Sequence, residues 1–540
     1  MQTVHDAFTT TAARTPTADF LFTEAVTAAA YGIAPGALAW GEAATEVGRL
    51  RRAYAAAGYG HGHRVGLLLE NRPAFLLHWF ALNALGASVV PINADMRSAE
   101  LSYLIGHSEI ALAVTLPERA DDLHSAASQA GVTGFATMAP DGDVPPASTA
   151  PPRGHEPIDA RTECALLYTS GTTGRPKGCI LSNTYFLNAG AWYAALDGVC
   201  SIRPDTERVM TPLPLTHMNA MACSTMVVLI AGGCLVQLDR FHPRSWLQSA
   251  RDSGATVVHY LGVMPAMLLS APPSSADRDH AIRWAFGAGV DRKHHAAFEE
   301  RFGFPLVEAW AMTETGVAAC IMANREPRLV GRACFGRRPG FVEVRVVDDA
   351  GRPAGIDAPG ELWVRYAGAD PRHAFFSGYL KDEAATAEAW AEGWFHTGDL
   401  VRCDAEGNFF FVDRKKNVIR RSGENISAVE VESVLNQHPA VKAAAVAATP
   451  DTVRGDEVLA CIVLRDDAAA HDRPALAADI VAHALDQLAY YKAPGYIAFV
   501  DALPLTPSQK IQRGELRTLA QALPAQPHCV DTRAMKKRQS

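Results

Sequence analysis

The chain has 540 residues, 48% of them hydrophobic and 20% charged, with a formal net charge of -8. That apolar fraction excludes a disordered or fibrous chain, and the length supports a core that needs no disulfide or metal staple. The acidic balance, 58 Asp and Glu against 50 Lys and Arg, argues against nucleic acid as the main partner. The ten cysteines form no C-x-x-C pair, so a zinc ribbon or thioredoxin motif is absent and free thiols in a reducing compartment are expected. Met1–Phe20 has no long apolar run and an early acidic residue, unlike a signal peptide. The longest membrane-span candidate, Met218 to Val236, is broken by Asn219, Ser224, Thr225 and the Gly232-Gly233 pair. A cytoplasmic protein without membrane insertion is the expectation.

Along the first half, short apolar runs alternate with helical ones. Val65–Leu69 reads as a buried strand, Pro73–Leu85 as a helix, Ser88–Ile92 as a strand, Ala99–Ile105 as a helix start and Ile110–Leu116 as a strand. Continuous apolar strands separated by helices imply a parallel sheet covered on both faces. The runs from Ala222 to Val236 and at Thr256–Val258 read as more of the same. Ala139–Gly154 reads as a surface loop. Val342–Val347 and Gly360–Arg365 read as a β-subdomain. Beyond Asp413 the pattern changes: a helix near Ala428–Asn436, strands at Ala443–Ala448 and Val458–Leu464, a helix over Ala475–Leu488 and a strand at Ile497–Phe499. The fold class expected is α/β: a large N-terminal domain, 1–413, of layered sheets and helices with a β-subdomain, and a small mobile α+β domain, 414–540.

The densest chemical signal is Tyr168-Thr-Ser-Gly-Thr-Thr-Gly-Arg-Pro-Lys-Gly178, which follows the apolar run Ala165–Leu167. Its glycines let the backbone approach a ligand closely, its N–H groups and hydroxyls can wrap phosphate oxygens, and Lys177 adds positive charge. The spacing is not that of a Walker P-loop.

This run resembles the signature [YF]-T-S-G-[ST]-T-G-x-P-K-G of the adenylate-forming (acyl-CoA synthetase, AMP-binding) superfamily, and further motifs follow in that family's order. The resemblance implies ATP contacts at Thr169, Ser170, Gly171, Thr172, Thr173, Gly174 and Lys177. Ala309–Gly316 resembles Y-G-x-T-E: Trp310, Ala311, Met312 and Thr313 would lie against the nucleotide, with Trp310 stacking on adenine where tyrosine is usual. Glu314 would hold Mg²⁺, a hard cation suited to carboxylate oxygen. Trp394–Asp399 resembles W-x-x-T-G-D, with Asp399 for the ribose hydroxyls. Asp413–Asn417 resembles G-R-x-[KD]-D, making Arg414 a nucleotide contact and Lys416 the hinge. Asp413 and Asn417 depart from the usual Gly and Asp.

Ser422–Ile426 resembles the loop that meets coenzyme A, implicating Gly423 and Glu424. Pro504–Ile511 resembles P-x-T-x-x-G-K-[IV], with Lys510 as the catalytic lysine and Gln509 in place of glycine. Pro212–His217 resembles P-L-x-H, where His217 would gate the acyl pocket and orient the carboxylate. Met218, Ala222, Tyr260, Gly287, Ala288 and Gly316 would line that pocket. Within the superfamily, Phe411–Ser427, Trp79–Ala94 and Arg301–Gly303 look most like the carnitine/crotonobetaine-CoA ligase branch. The implied reaction is ATP-dependent activation of a carboxylic acid as acyl-AMP, with release of pyrophosphate, then transfer to coenzyme A. The implied substrate is a small polar or betaine-type acid, and an aromatic cage from Tyr260 and Trp310 is one way to hold a betaine. A short aliphatic or aryl acid stays open. So do loading onto a carrier protein, for which no carrier domain follows Lys510, a catalytically silent nucleotide-binding protein, and homodimerisation. Luciferase-type oxidation has no positive mark in the sequence.

Overall fold

The computed structural model describes residues 1–96, 98–154, 156–169, 176–421, 424–451, 455–468, 472–488, 490–506 and 510–536. They form two compact units. The first takes the described residues of 1–344 and 364–395, and the second those of 345–363 and 396–536. The second unit therefore takes in more than the segment 414–540 marked out by the motifs.

The first unit holds two sheets. One runs in the order Gly378–Tyr379, Lys177–Ser182, Glu163–Thr169, Ser88–Pro91, Arg64–Leu68, Leu112–Thr115, Ala136–Met138. From Glu163–Thr169 onward its neighbours are parallel, as the continuous apolar runs imply. Val65, Leu67, Val89, Val90, Leu112 and Val114 are fully buried. The helix Pro73–Asn83 begins with its proline in the first turn, where the missing N–H is no loss. The two strands flanking the glycine-rich run pair antiparallel, with Thr169 opposite Lys177. The run is thus flanked by two paired strands, whereas a Walker loop leads from a strand into a helix.

The second sheet packs Trp284–Ala288, Val257–Leu261, Arg208–Thr211, Cys234–Gln237 and Asp19–Thr23 in parallel order, with Leu306–Met312 parallel on the other side of Trp284–Ala288. Gly316–Met322 closes a hairpin onto Leu306–Met312. Within Ala222–Val236, where the sequence implies further strands separated by helices, the strand is Cys234–Gln237. Asn219–Ser224 is a π-helical turn and Thr225–Ala231 an α-helix. The longest continuously apolar run there is 226–231, and so short a run has no period that separates a buried helix from a buried strand.

In the second unit, Glu424–Ser427, Val418–Arg421, Gly455–Leu464, Tyr496–Phe499 and Cys529–Asp531 form a sheet, to which Val441–Asp451 adds by pairing with Gly455–Leu464. The helices Ala428–Leu435 and Arg473–Gln487 cover it, burying Val431, Leu435, Ile480 and Val481 against Val458, Ala460 and Ile462. The hairpin Trp394–Cys403 and Asn408–Arg414 sets Asp399 opposite Arg414.

Candidate functional site

In the first unit, Thr313 and Glu314 sit at the tip of the hairpin between Leu306–Met312 and Gly316–Met322. The Thr315 hydroxyl accepts from Met312 N–H at 3.1 Å and closes the turn, and Gly316 takes φ +52°. Glu314 is only 7% exposed. Its Oε1 accepts the Tyr379 hydroxyl at 2.9 Å. Lys177 Nζ lies 4.8 Å from the centre of the same tyrosine ring and 3.9 Å from Asp382 Oδ2. Tyr379 reaches this place because Gly378–Tyr379 pairs with Cys179–Ile180 on the strand that follows the glycine-rich run. One phenol thus ties the lysine of that run to the Thr-Glu carboxylate. Burial first, and the Glu314 charge second, hold the Tyr379 hydroxyl well above its ordinary range, so it remains a donor.

Of the ATP residues expected from the motifs, Thr169 ends its strand half-buried and Lys177 opens the next. Ser170, Gly171, Thr172, Thr173 and Gly174 lie outside the described residues. Trp310 is buried, with its ring 6.5 Å from Phe335. Ala311, Met312 and Thr313 are half-buried beside it.

His217 is exposed at the start of the π-helical region, accepting at its carbonyl from Met221 N–H at 3.1 Å. Met218 is half-buried and Ala222 buried on the same segment. Asn71, which no motif singled out, stitches the preceding loop. Its side chain donates to Leu213 and Leu238 carbonyls at 3.2 and 2.7 Å and accepts from Leu215 N–H at 2.9 Å. The turn itself is clasped by His259: Asn219 Oδ1 lies 2.6 Å and Ser224 Oγ 2.9 Å from Nδ1, and Tyr193 OH lies 2.8 Å from Nε2. Burial lowers the His259 pKa to about 3, so the ring is neutral. Single π-turns of this kind recur at functional sites.

Gly287 is buried and Ala288 exposed at a strand end. A Cβ on Gly287 would fall 2.3 Å from the Tyr260 carbonyl oxygen, so only glycine fits. Tyr260 is itself buried and donates its hydroxyl to Glu308 Oε1 at 2.5 Å. Glu308 also accepts from Gly289 and Val290 N–H at 3.0 and 3.2 Å. Burial raises its carboxyl above the ordinary range. Tyr260 thus spends its polar end on Glu308. Neither Asn71 nor Glu308 was reachable from spacing alone, since each acts across long sequence separations.

In the second unit, Asp399 is buried, with Oδ1 2.9 Å from Arg414 Nε, and Arg414 is exposed. The Thr397 hydroxyl accepts from Asp399 N–H at 3.0 Å and donates to the Leu362 carbonyl at 2.6 Å, which fixes the T-G-D turn. Asp413, the departure from glycine, accepts from Ser427 Oγ at 3.0 Å and Val429 N–H at 3.2 Å. It helps cap the helix Ala428–Leu435. Lys416 lies in the turn Lys415–Asn417, Gly423 lies outside the described residues, and Glu424 begins a strand. Lys510 is exposed and directly precedes Ile511, which bridges to Leu505. Thr506 N–H donates to its carbonyl at 2.7 Å, and its own N–H donates to Thr506 Oγ1 at 3.1 Å.

No described helix is long and apolar enough to cross a membrane. Among the described residues no cluster of three or more His, Cys, Asp or Glu could hold a metal by itself. A Mg²⁺ bound through one carboxylate and nucleotide phosphates needs no such cluster, and the hard oxygen donors of Glu314 and Thr313 fit it.

The sequence family described as "AMP-binding enzyme" matches residues 8–380, and "AMP-binding enzyme C-terminal domain" matches 430–510. The chain is 34% identical over 487 residues to a sulfoacetate–CoA ligase of Cupriavidus necator, covering 89% of this chain and 92% of that one. It is 30% identical over 491 residues to a crotonobetaine/carnitine–CoA ligase of Escherichia coli, covering 87% and 91%. Among solved structures, ATP-bound MatB from Rhodopseudomonas palustris superposes with TM-score 0.79 at 25% identity, over 97% of this chain and 100% of that one. The anthranilate CoA ligase AuaEII with anthranoyl-AMP shares the fold, with TM-score 0.80 at 22% identity, over 97% and 98%.

Proposed function

The chain belongs to the AMP-binding enzyme family and is an AMP-forming acid–CoA ligase, and from that premise we propose that its acid is small and polar. The first half-reaction joins a carboxylate oxygen to the α-phosphorus of ATP and expels pyrophosphate. The second joins the coenzyme A sulfur to the acyl carbon and expels AMP. An anion meets a polyanion in the first step, so the residues act chiefly by neutralising and aligning charge.

Lys177 and the glycine-rich run take the phosphates. Glu314, with Thr313, would hold Mg²⁺, which supplies charge neutralisation on the phosphates when bound. Asp399 accepts the ribose hydroxyls, Arg414 contacts the nucleotide, and Trp310 faces adenine. His217 orients the carboxylate. Lys510 offsets the charge that builds on the α-phosphate, and the segment at Gly423 and Glu424 serves coenzyme A. The observation that carries this reading is the Lys177–Tyr379–Glu314 arrangement, which fixes a phosphate-type cation and a metal-type carboxylate on one ring.

Two observations support a small polar acid. The relatives named above act on sulfoacetate and on crotonobetaine or carnitine, short acids with a charged distal group. Tyr260, one of the two rings of an aromatic cage with Trp310, is only 2% exposed, which leaves little of its face open to a quaternary ammonium and favours a polar acid. A carboxylate panel that includes sulfoacetate, carnitine, short aliphatic acids and benzoate, scored by AMP release with and without coenzyme A, tests the reading. A best substrate that is an apolar or aryl acid would overturn it.

A further inference from the structure

Tyr185 lies in the first turn of the helix Asn183–Ala194, held there by two residues before it. Ser182 caps the helix, its Oγ accepting from Tyr185 N–H at 3.4 Å. The Asn183 side chain donates to the Thr162 carbonyl at 3.3 Å and accepts from Asn83 Nδ2 at 2.9 Å. The Tyr185 side chain is therefore aimed by a rigid support.

Tyr185 is 1% exposed, yet its hydroxyl finds no hydrogen-bond partner among the described residues. Buried hydroxyls are rarely left so, because an unmade bond costs the full desolvation of the group. The ring rests against Gly316: a Cβ there would fall 2.6 Å from Cε2 and 3.0 Å from Cζ. The ring edge that includes the hydroxyl-bearing Cζ thus lies against Gly316, the residue that ends the turn carrying Thr313 and Glu314. Cys223 of the π-turn, Cys179 and Glu314 are near enough to act on it electrically, and burial pushes its hydroxyl far up, so it stays protonated. Gly316 and the π-turn are the walls expected for the acyl pocket. A donor placed there, buried and unspent, suits an acyl group with an oxygen of its own.

We propose that the Tyr185 hydroxyl donates a hydrogen bond to an oxygen on the distal end of the acyl group, making it a specificity-determining residue for acids that carry such an oxygen. The inference rests on the acid–CoA ligase reading above. A site built to bond a substrate oxygen rejects the analogue that lacks it far more strongly than an apolar pocket rejects a missing methylene.

The test compares the full chain with Tyr185→Phe in ATP–pyrophosphate exchange and CoA-dependent AMP release. Two size-matched pairs of acids are used: 3-hydroxypropionate against butyrate, and sulfoacetate against 3,3-dimethylbutyrate. The expected result is that the wild type prefers the oxygen-bearing member of one pair. That preference in kcat/KM falls by about 10–100-fold in Tyr185→Phe, while KM for ATP and the melting temperature hold or the latter rises. The pair that responds says whether the oxygen is a neutral hydroxyl or a sulfonate. An unchanged preference in both pairs overturns the inference alone, and so does an equal loss on all acids with a raised KM for ATP, which marks a structural role. A wild type inactive on every acid overturns the acid–CoA ligase reading and this inference with it.

Discussion

Tyr379 donates its phenolic hydrogen to Glu314 Oε1 at 2.9 Å and offers its ring face to Lys177, whose Nζ lies 4.8 Å from the ring centre. The two charged groups are 137 positions apart in the chain (314 − 177), and the tyrosine joins them from a two-residue strand. Tyr379→Phe keeps the ring and removes the hydrogen bond to a carboxylate, a bond worth about 1.5–3 kcal/mol. The expected result is a tenfold or greater fall in ATP–pyrophosphate exchange, with more Mg²⁺ needed for half-maximal rate. An exchange rate and Mg²⁺ dependence like the wild type's would show that the phenol does not hold Glu314 for its task.

Lys510 and the Gly423 segment are assigned to different half-reactions. Lys510→Ala is expected to lower acyl-AMP formation by at least about 100-fold while sparing thioester formation from supplied acyl-AMP. Lys416→Pro, which stiffens the turn Lys415–Asn417, is expected to do the reverse. Equal loss of both half-reactions in both variants would contradict the division of labour.

Asp413 shows why a departure from a motif can be structural. Its carboxylate accepts from Arg414 N–H at 2.7 Å, from Ser427 Oγ and from Val429 N–H. Asp413→Ala removes this acceptor from the Arg414 and Val429 N–H groups, while Ser427 Oγ keeps the Val412 carbonyl at 3.0 Å, and is expected to cost about 1–3 kcal/mol. Chemical denaturation followed by circular dichroism reads this, and Asp413→Asn should recover part of the loss. No difference between the two variants would assign the stability elsewhere.

His259 sets a pH dependence of stability. Its pKa is lowered from 6.5 to about 3 by burial, so the unfolded chain binds the proton first as pH falls. The stabilisation is complete above pH 6.5 and is lost progressively between 6.5 and 3. This residue alone accounts for about 1.4 kcal/mol lost between pH 7.5 and 5.5. Denaturation midpoints at those two pH values should differ less in His259→Gln than in the wild type. An equal pH dependence would place the linked proton on another group.

Much of this was legible in the sequence because the informative residues are local. The parallel sheet follows from continuous apolar runs such as Val65–Leu69, whose side chains are buried on both faces. Lys177, Glu314, Asp399, Arg414 and Lys510 each stand in a short ordered motif. Other features depend on pairings that no spacing encodes. Tyr379 meets Glu314 only because its strand adds to the edge at Cys179–Ile180. Asn71 reaches Leu213 and Leu215 from the turn that follows the strand Arg64–Leu68. The Tyr185 hydroxyl acquires meaning only once Gly316 is seen against its ring. The runs in Ala222–Val236 cannot be divided into helix and strand from the sequence, because a short buried helix has the same apolar continuity as a buried strand.

The most direct test of the account is a single-turnover reaction with ATP, Mg²⁺ and the best small polar acid, quenched before and after coenzyme A is added. The account predicts acyl-AMP and pyrophosphate in equal amounts before the addition, then acyl-CoA and AMP in the same amount after it. ADP and phosphate, or an adenylate that coenzyme A leaves untouched, would contradict it.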